Sequence, residues 1–229
     1  MAMEVFTRIP IASYIFLGLF FAISIWHIYL CCVRQNSFLR KATKSFCVLT
    51  LAIAVIIALP TYPLIYIGLL AGAIGDFLLI FKKKPVLFIL GAVFFLVNHI
   101  LIIIQGILLL QPFTTGITIG AICFLVIAFI TSYIIAFTFL KKPKRSVPGG
   151  IYVTALMVNI GLYLLAVCMG RYEYFLICLF GAVSFMASDM LLAYSLFVKG
   201  NQKSRHLVMA TYLIGQFLIA FGYILTLLA

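Results

Sequence analysis

Two aspartates offer the most chemistry in this sequence: Asp76, which follows Gly72-Ala73-Ile74-Gly75, and Asp189, which follows Ser188, both inside apolar runs. The chain has only four acidic residues, so half of them lie where charge is costly. An ionisable residue at the centre of a membrane helix costs about 2.5–3.5 kcal/mol on insertion scales and by default marks a functional site. Two carboxyls brought together do not both ionise easily; one keeps a proton while the other is charged, and the pair becomes a general acid and a general base. Three tasks fit such a pair in lipid: cleaving an acid-labile bond in a lipid, hydrolysing a peptide within the membrane, or carrying protons in a transporter. The plainer alternative makes each aspartate a polar contact between helices, with Asn98, Asn159, Tyr152 or a serine as partner.

The elements that must position these carboxyls are membrane helices. Of 229 residues 66% are hydrophobic and 9% charged, against roughly 25% charged in a soluble domain, which excludes a soluble globular fold. Apolar runs fall at about residues 11–33, 45–60, 63–81, 86–110, 115–140, 148–169, 172–198 and 206–228, which predicts an all-α bundle of eight transmembrane helices. Residues 1–229 then form one integral membrane domain. Pro60-Thr61-Tyr62-Pro63 separates the second and third runs, since two prolines in four residues disfavour one continuous helix; a re-entrant hairpin is the alternative there.

The net charge of +12 is explained by topology. The segments after the first, third, fifth and seventh runs hold 14 of the 16 basic residues: Arg34, Arg40, Lys41, Lys44; Lys82, Lys83, Lys84; Lys141, Lys142, Lys144, Arg145; and Lys199, Lys203, Arg205. Only Arg8 and Arg171 fall on the other side. The positive-inside rule makes those four segments cytoplasmic and turns both termini outward. Contact with anionic lipid headgroups fits these charges, and nucleic-acid binding does not. The six cysteines contain no C-x-x-C pair and mostly sit in apolar runs, so neither a disulfide framework nor a zinc site is indicated. The first run is too long for a signal-peptide core and is read as a retained span. With no sorting signal in view, a bacterial inner membrane is the expected location, the endoplasmic reticulum being the eukaryotic alternative.

An internal repeat relates the two aspartates. Placing Asp76 on Asp189 aligns Gly68 with Gly181, Gly75 with Ser188 and Leu78-Leu79 with Leu191-Leu192. The next helices match as well, Phe95-Leu96-Val97-Asn98-His99 beside Tyr212-Leu213-Ile214-Gly215-Gln216. These pairs run in the same direction, so the expectation is a parallel four-plus-four duplication, with halves 1–113 and 114–229. Asp76 stands six residues before Lys82 and Asp189 ten before Lys199, hence roughly 9 and 15 Å from the cytoplasmic ends at 1.5 Å per residue. Small residues share a face with each aspartate, Gly68 and Gly72 in one helix, Gly181 and Ser184 in the other, so close helix approach could bring the carboxyls into one cavity.

His99, about 22 Å beyond Lys84, is either a third catalytic group or a neutral histidine bonded between helices. Gln216 is its counterpart in the repeat, as an orienting amide or an interhelical contact. His27 and His206 lie near span ends, Arg171 and Glu173 are read as an interfacial pair, and Trp26 is one aromatic among many.

Gly72-Ala73-Ile74-Gly75-Asp76 differs from the G-x-G-D motif of intramembrane aspartyl proteases, because Ala73 replaces the first glycine and no P-A-L segment follows. Read together, Gly75-Asp76-Phe77-Leu78-Leu79, Gly91-Ala92-Val93-Phe94-Phe95 with His99, the run from Gly181-Ala182 through Phe185 and Ser188-Asp189 to Leu192-Ala193, and Thr211-Tyr212 with Gln216-Phe217 resemble the YhhN-like lysoplasmalogenase family. The likeness covers nearly the whole chain in order, and its most specific part is G-A-x-x-F-x-x-S-D-x-x-L-A. Lys44 resembles the family's lysine in a K-P-L element, with Ser45 in place of the proline, and Ile102 stands where a tyrosine often follows the histidine. The resemblance implies hydrolysis of the vinyl-ether bond of lysoplasmalogens to a fatty aldehyde and a glycerophospho-alcohol, with no cofactor or metal and a lysophospholipid as partner. The catalytic candidates are Asp76, Asp189 and His99; Lys44, Asn98, Tyr152, Ser188, Tyr212 and Gln216 are the candidates for binding substrate. Lys44 with its basic neighbours would hold the lipid phosphate, or else only flank a span.

Overall fold

The computed structural model describes residues 2–33, 38–81, 84–141, 143–170, 172–197 and 205–229. Those residues form α1 (Ala2–Arg8), α2 (Ile11–Val33), α3 (Phe38–Ala58), α4 (Pro63–Leu79), α5 (Pro85–Leu110), α6 (Thr115–Leu140), α7 (Pro143–Cys168), α8 (Phe175–Phe197) and α9 (Arg205–Leu228). Among them are seven helices long and apolar enough to cross a membrane. The chain is an integral membrane protein built as a helical bundle. The third expected span, α4, is a shorter apolar helix of 17 residues, about 26 Å long against a hydrocarbon core of ~30 Å.

Local chemistry explains most boundaries. Pro63 and Pro85 open α4 and α5 at positions where a missing N–H costs nothing. Thr114 accepts a hydrogen bond from the Ile117 N–H and caps α6, whose other end closes on Lys141 in the left-handed conformation. Three expected starts move. α3 begins at Phe38 rather than 45, α7 at Pro143 rather than 148, and α8 at Phe175 rather than 172. In α3 and α7 the backbone ladder continues through the basic turns ahead of the apolar run, because Lys and Arg can lay their stems along a helix and keep their charges at its end. Arg40, Lys41 and Lys44 are therefore helical rather than in a loop, and Pro148 lies inside α7. The short α1 has no counterpart among the expected runs. Arg34, Lys82, Lys83, Lys142, Arg171, Lys199 and Lys203, on which much of the charge count and the Arg171–Glu173 pair rest, lie outside the described residues.

Neighbouring helices pack in a closed circuit, α2 on α3, then α4, α5, α7, α8 and α9, which returns to α2; α9 also touches α3. α6 lies outside this circuit against α7 and α8. α9 is buried along most of its length, from Val208 to Thr226, and α3 seals Cys47, Val48, Leu51, Ala52 and Val55 from solvent along one stripe. Large apolar side chains such as Ile11, Ile25, Ile127 and Phe180 cover the outside, as a lipid-facing surface requires. One Arg8 nitrogen donates to the Leu228 and Ala229 carbonyls, so α1 is fastened to the end of α9 and both termini meet at one end of the bundle.

Close approach of α8 and α9 depends on glycine. A Cβ on Gly215 would stand 2.8 Å from the Phe185 nitrogen and 2.9 Å from the Gly181 carbonyl oxygen. In α4 and α5 the corresponding contact is between Gly68 and Asn98, the positions that the repeat alignment sets opposite Gly181 and Gly215.

Candidate functional site

Six helices of the circuit direct polar side chains into one buried cluster: Lys44 from α3, Asp76 from α4, Asn98 and His99 from α5, Tyr152 and Asn159 from α7, Asp189 from α8, and Tyr212 and Gln216 from α9. Asp76 is fully buried. Its Oδ1 is 2.7 Å from Lys44 Nζ, and its Oδ2 accepts a 2.7 Å hydrogen bond from Tyr212 Oη. Tyr212 Oη in turn accepts from Gln216 Nε2 at 3.4 Å. The Lys44 ammonium also lies 5.7 Å from the Tyr212 ring centroid, so one tyrosine braces both members of the ion pair.

Asp189 is half-buried and accepts a 2.5 Å hydrogen bond from Tyr152 Oη at Oδ2. The Tyr152 ring meets the His99 imidazole edge-on at 5.9 Å, and His99 meets Phe185 at 4.7 Å. Phe185 packs on Tyr212 at 5.3 Å, which closes the path from one carboxyl to the other. The charge of Asp76 acts on Asp189, and Lys44 acts on both carboxyls. They share one electrostatic environment.

The histidine tautomer follows from its neighbour. Asn159 Nδ2 donates to the Ala155 carbonyl at 3.1 Å, which fixes the amide, and the same nitrogen lies 3.2 Å from His99 Nδ1. Nδ1 must accept, so a neutral His99 carries its hydrogen on Nε2, which is buried without a hydrogen-bond partner among the described residues. In chemical terms the cluster offers a carboxyl bound on both oxygens, a carboxyl bound on one, and an imidazole N–H with nothing yet to donate to.

The residues expected from sequence are nearly all brought together here; Ser188 is the exception. Its buried hydroxyl donates to the Val208 carbonyl at 2.9 Å and joins α8 to α9 instead of facing the aspartates. Ser188→Ala should therefore lower stability by about 1 kcal/mol in a thermal melt and leave the turnover per folded molecule near that of the native chain. His27 is buried against Thr43 and Cys31, between α2 and α3, and bonds neither aspartate.

Two features escape the sequence reading. The Lys44–Asp76 ion pair is one, although a signal exists: Lys44 precedes Val48, Leu51 and Val55 by one, two and three turns and so belongs to the buried stripe of α3. The other is the packing of Phe95 and Phe185 on the Tyr212 ring: both belong to the motifs that carry the resemblance, but nothing in an apolar helix tells which ring they meet.

A model of the YhhN family matches residues 38–223 of the chain. No curated protein and no solved structure matches it.

Proposed function

The chain belongs to the YhhN family, and from that premise we propose that it hydrolyses the vinyl-ether bond of a lysoplasmalogen within the membrane. A fatty aldehyde and a glycerophospho-alcohol are the products. The observation that carries this reading is the pair of carboxyls, Asp76 and Asp189, held by separate tyrosines in one buried cluster.

Vinyl ethers open by protonation of the β-carbon, and the difference between the two carboxyls assigns the parts. Asp76 is ion-paired with Lys44 at Oδ1 and accepts from Tyr212 at Oδ2, which suits the charged member; among the described residues Asp189 is engaged at Oδ2 alone, which leaves Oδ1 to carry a proton. Asp189 delivers that proton to the β-carbon, the double-bond electrons form the new C–H bond, and the α-carbon becomes an oxocarbenium ion facing the Asp76 charge. Water adds to the α-carbon and its released proton passes to Asp76, giving a hemiacetal. The hemiacetal hydroxyl then returns a proton to Asp189, its carbon–oxygen bond to glycerol breaks, and the departing glycerol oxygen takes the proton held by Asp76. One water is consumed and both carboxyls regain their starting states, the division of labour that paired carboxyls perform on glycosides. The unpartnered His99 Nε2–H is the group available to orient the water.

An apolar groove of about 360 Å³ is lined by Phe124 and Ile127 of α6, Met157 and Ile160 of α7, and Met186 of α8. Met186 is three residues from Asp189, so an alkenyl tail lying there would approach the turn of α8 that carries this carboxyl. The phosphate falls to Arg40 and Lys41, about one turn from Lys44, because Lys44 is already paired; Arg40 Nε is buried without a hydrogen-bond partner among the described residues. The basic ends are assigned to the cytoplasmic side of a bacterial inner membrane and both termini to the other side, in keeping with the positive-inside rule.

Purified protein incubated with a 1-alkenyl lysophospholipid should release free aldehyde, read by a coupled reductase, and none from the 1-alkyl analogue. Absence of aldehyde from every vinyl-ether lipid would overturn the assignment. The same carboxyls would then be tested as proton carriers by flux into vesicles.

A further inference from the structure

The polar cluster lies toward one end of the bundle. Lys44, Tyr152, Asp189 and Tyr212 stand within roughly 14 Å of the helix ends marked by Arg40, Lys84, Lys141 and Arg205, at 1.5 Å per residue, and Asp76 is closer still. Three members keep contact with the outside: Tyr152 and Asp189 are half-buried, and the Lys44 side chain is 20% exposed. Farther along their helices, His99, Asn159 and Gln216 are sealed. Beyond them the bundle is shut by three fully buried rings, Tyr163 of α7, Phe175 of α8 and Tyr223 of α9, within roughly 8 Å of the opposite helix ends. The Phe175 ring centroid lies 5.5 Å from that of Tyr163 and 5.4 Å from that of Tyr223, whose Oη donates to the Ile102 carbonyl of α5 at 3.0 Å. Backbone closes in on this plug as well. A Cβ on Gly106 would stand 2.3 Å from Leu162 Cδ2, and one on Gly222 only 2.4 Å from Cys178 Sγ.

We propose that the cluster is entered only from the basic ends of the helices, and that the protein takes its lysolipid from the leaflet on that side. Charged groups and water need an opening to reach a buried site, and the members of the cluster that retain exposure lie on the basic side of those that are sealed. Lipid geometry agrees with this direction. A vinyl-ether bond adjoins the glycerol, at the boundary of headgroup and hydrocarbon, and the two carboxyls stand near that boundary on the basic side; the same bond in the opposite leaflet would lie across a core of ~30 Å, behind the plug. The closed end also separates the two uses of the aspartates. A carrier has to open to both faces in turn, whereas a hydrolase needs a single mouth. The choice of leaflet rests on the function proposed above, but the direction of entry does not.

The test uses the full chain in sealed vesicles, with a cleavable tag after Ala229, at the end opposite the basic one. External protease removes the tag only where the basic ends face inward, so it reports orientation. Tyr152→Cys places a thiol beside Asp189, and a membrane-impermeant cationic methanethiosulfonate is added outside vesicles of each orientation, with the modified cysteines located by peptide mass mapping. Labelling at position 152 is expected where the basic ends face outward and absent where they face inward. Labelling from the opposite face, or from neither, overturns the proposal. Native Cys178, sealed in the plug, should stay unlabelled from both faces in the same molecules, and its reaction would mark an unfolded chain. In that case Ala193→Cys, one turn beyond Asp189 on the same face of α8, takes the place of Tyr152→Cys with the same expected outcomes. A 1-alkenyl lysophospholipid added outside, and assayed before it crosses the bilayer, should then release aldehyde only where the basic ends face outward. Equal release from both orientations overturns the leaflet assignment. One-sided labelling with no aldehyde in either orientation supports the direction of entry and counts against the hydrolase reading, so the two failures are told apart.

Discussion

Asp76→Asn and Asp189→Asn are each expected to reduce aldehyde release by about 10²–10⁴-fold, the range for losing a positioned general acid or base. Asparagine keeps the size of the side chain and removes only the exchangeable proton or the charge. For Asp189 the Tyr152 hydrogen bond can persist to the amide oxygen, so the variant should melt close to the native protein while losing turnover. Asp76 differs, because its replacement leaves the Lys44 ammonium without its counter-charge, and the melting midpoint should fall together with activity. If the two carboxyls act as a unit, the double variant will be little worse than the weaker single one. Full activity in both single variants would remove the carboxyl pair from the mechanism. Single-turnover kinetics separates these cases from slow product release.

The largest expected effect on stability comes from one added methyl, in Gly215→Ala. The new Cβ would meet backbone atoms, the Phe185 nitrogen at 2.8 Å and the Gly181 oxygen at 2.9 Å, and backbone cannot rotate aside as a side chain can. α8 and α9 must separate. Overpacking of this kind costs about 1–3 kcal/mol, which for a chain of this size lowers the melting midpoint by very roughly 2–12 °C at a fixed heating rate. Tyr212 lies three residues before Gly215, so its hydrogen bond to Asp76 should weaken and turnover should drop as well. Gly18→Ala is the matched control, since nothing lies within 4 Å of the added atom and the midpoint should not fall. Equal melting of the two variants would contradict the close α8–α9 contact.

The site was legible where a residue type was out of place. Asp76, Asp189 and His99 stand out because ionisable groups in apolar runs require a reason, and all three fall in the cluster. Pro63 opens α4 where the sequence put the break, since a ring without an N–H has few other places to go. Partners were legible only in part: Tyr152 is among the contacts the sequence offers an aspartate, and it donates to Asp189. Asp76 takes its hydrogen bond from Tyr212, 136 residues away, and no local pattern encodes which helix lies opposite. Ser188 adjoins Asp189 in sequence, but successive residues on a helix point about 100° apart, so its hydroxyl reaches α9 instead. Lys44 was read with the basic segment because hydropathy places helix ends where charge begins; α3 starts six residues before it.

The Lys44–Asp76 pair also bears on how the chain enters the bilayer. α3 and α4 are joined by only four residues, Leu59 to Tyr62, and α4 is short, proline-led and burdened by a carboxyl. Threaded into lipid alone, each helix would carry an unmatched charge near its basic end, at a cost below the roughly 2.5–3.5 kcal/mol of the helix centre. Threaded as a hairpin, the two charges neutralise one another before either meets hydrocarbon. The contact that holds the Asp76 carboxylate would then also lower the cost of inserting α3 and α4 as one hairpin.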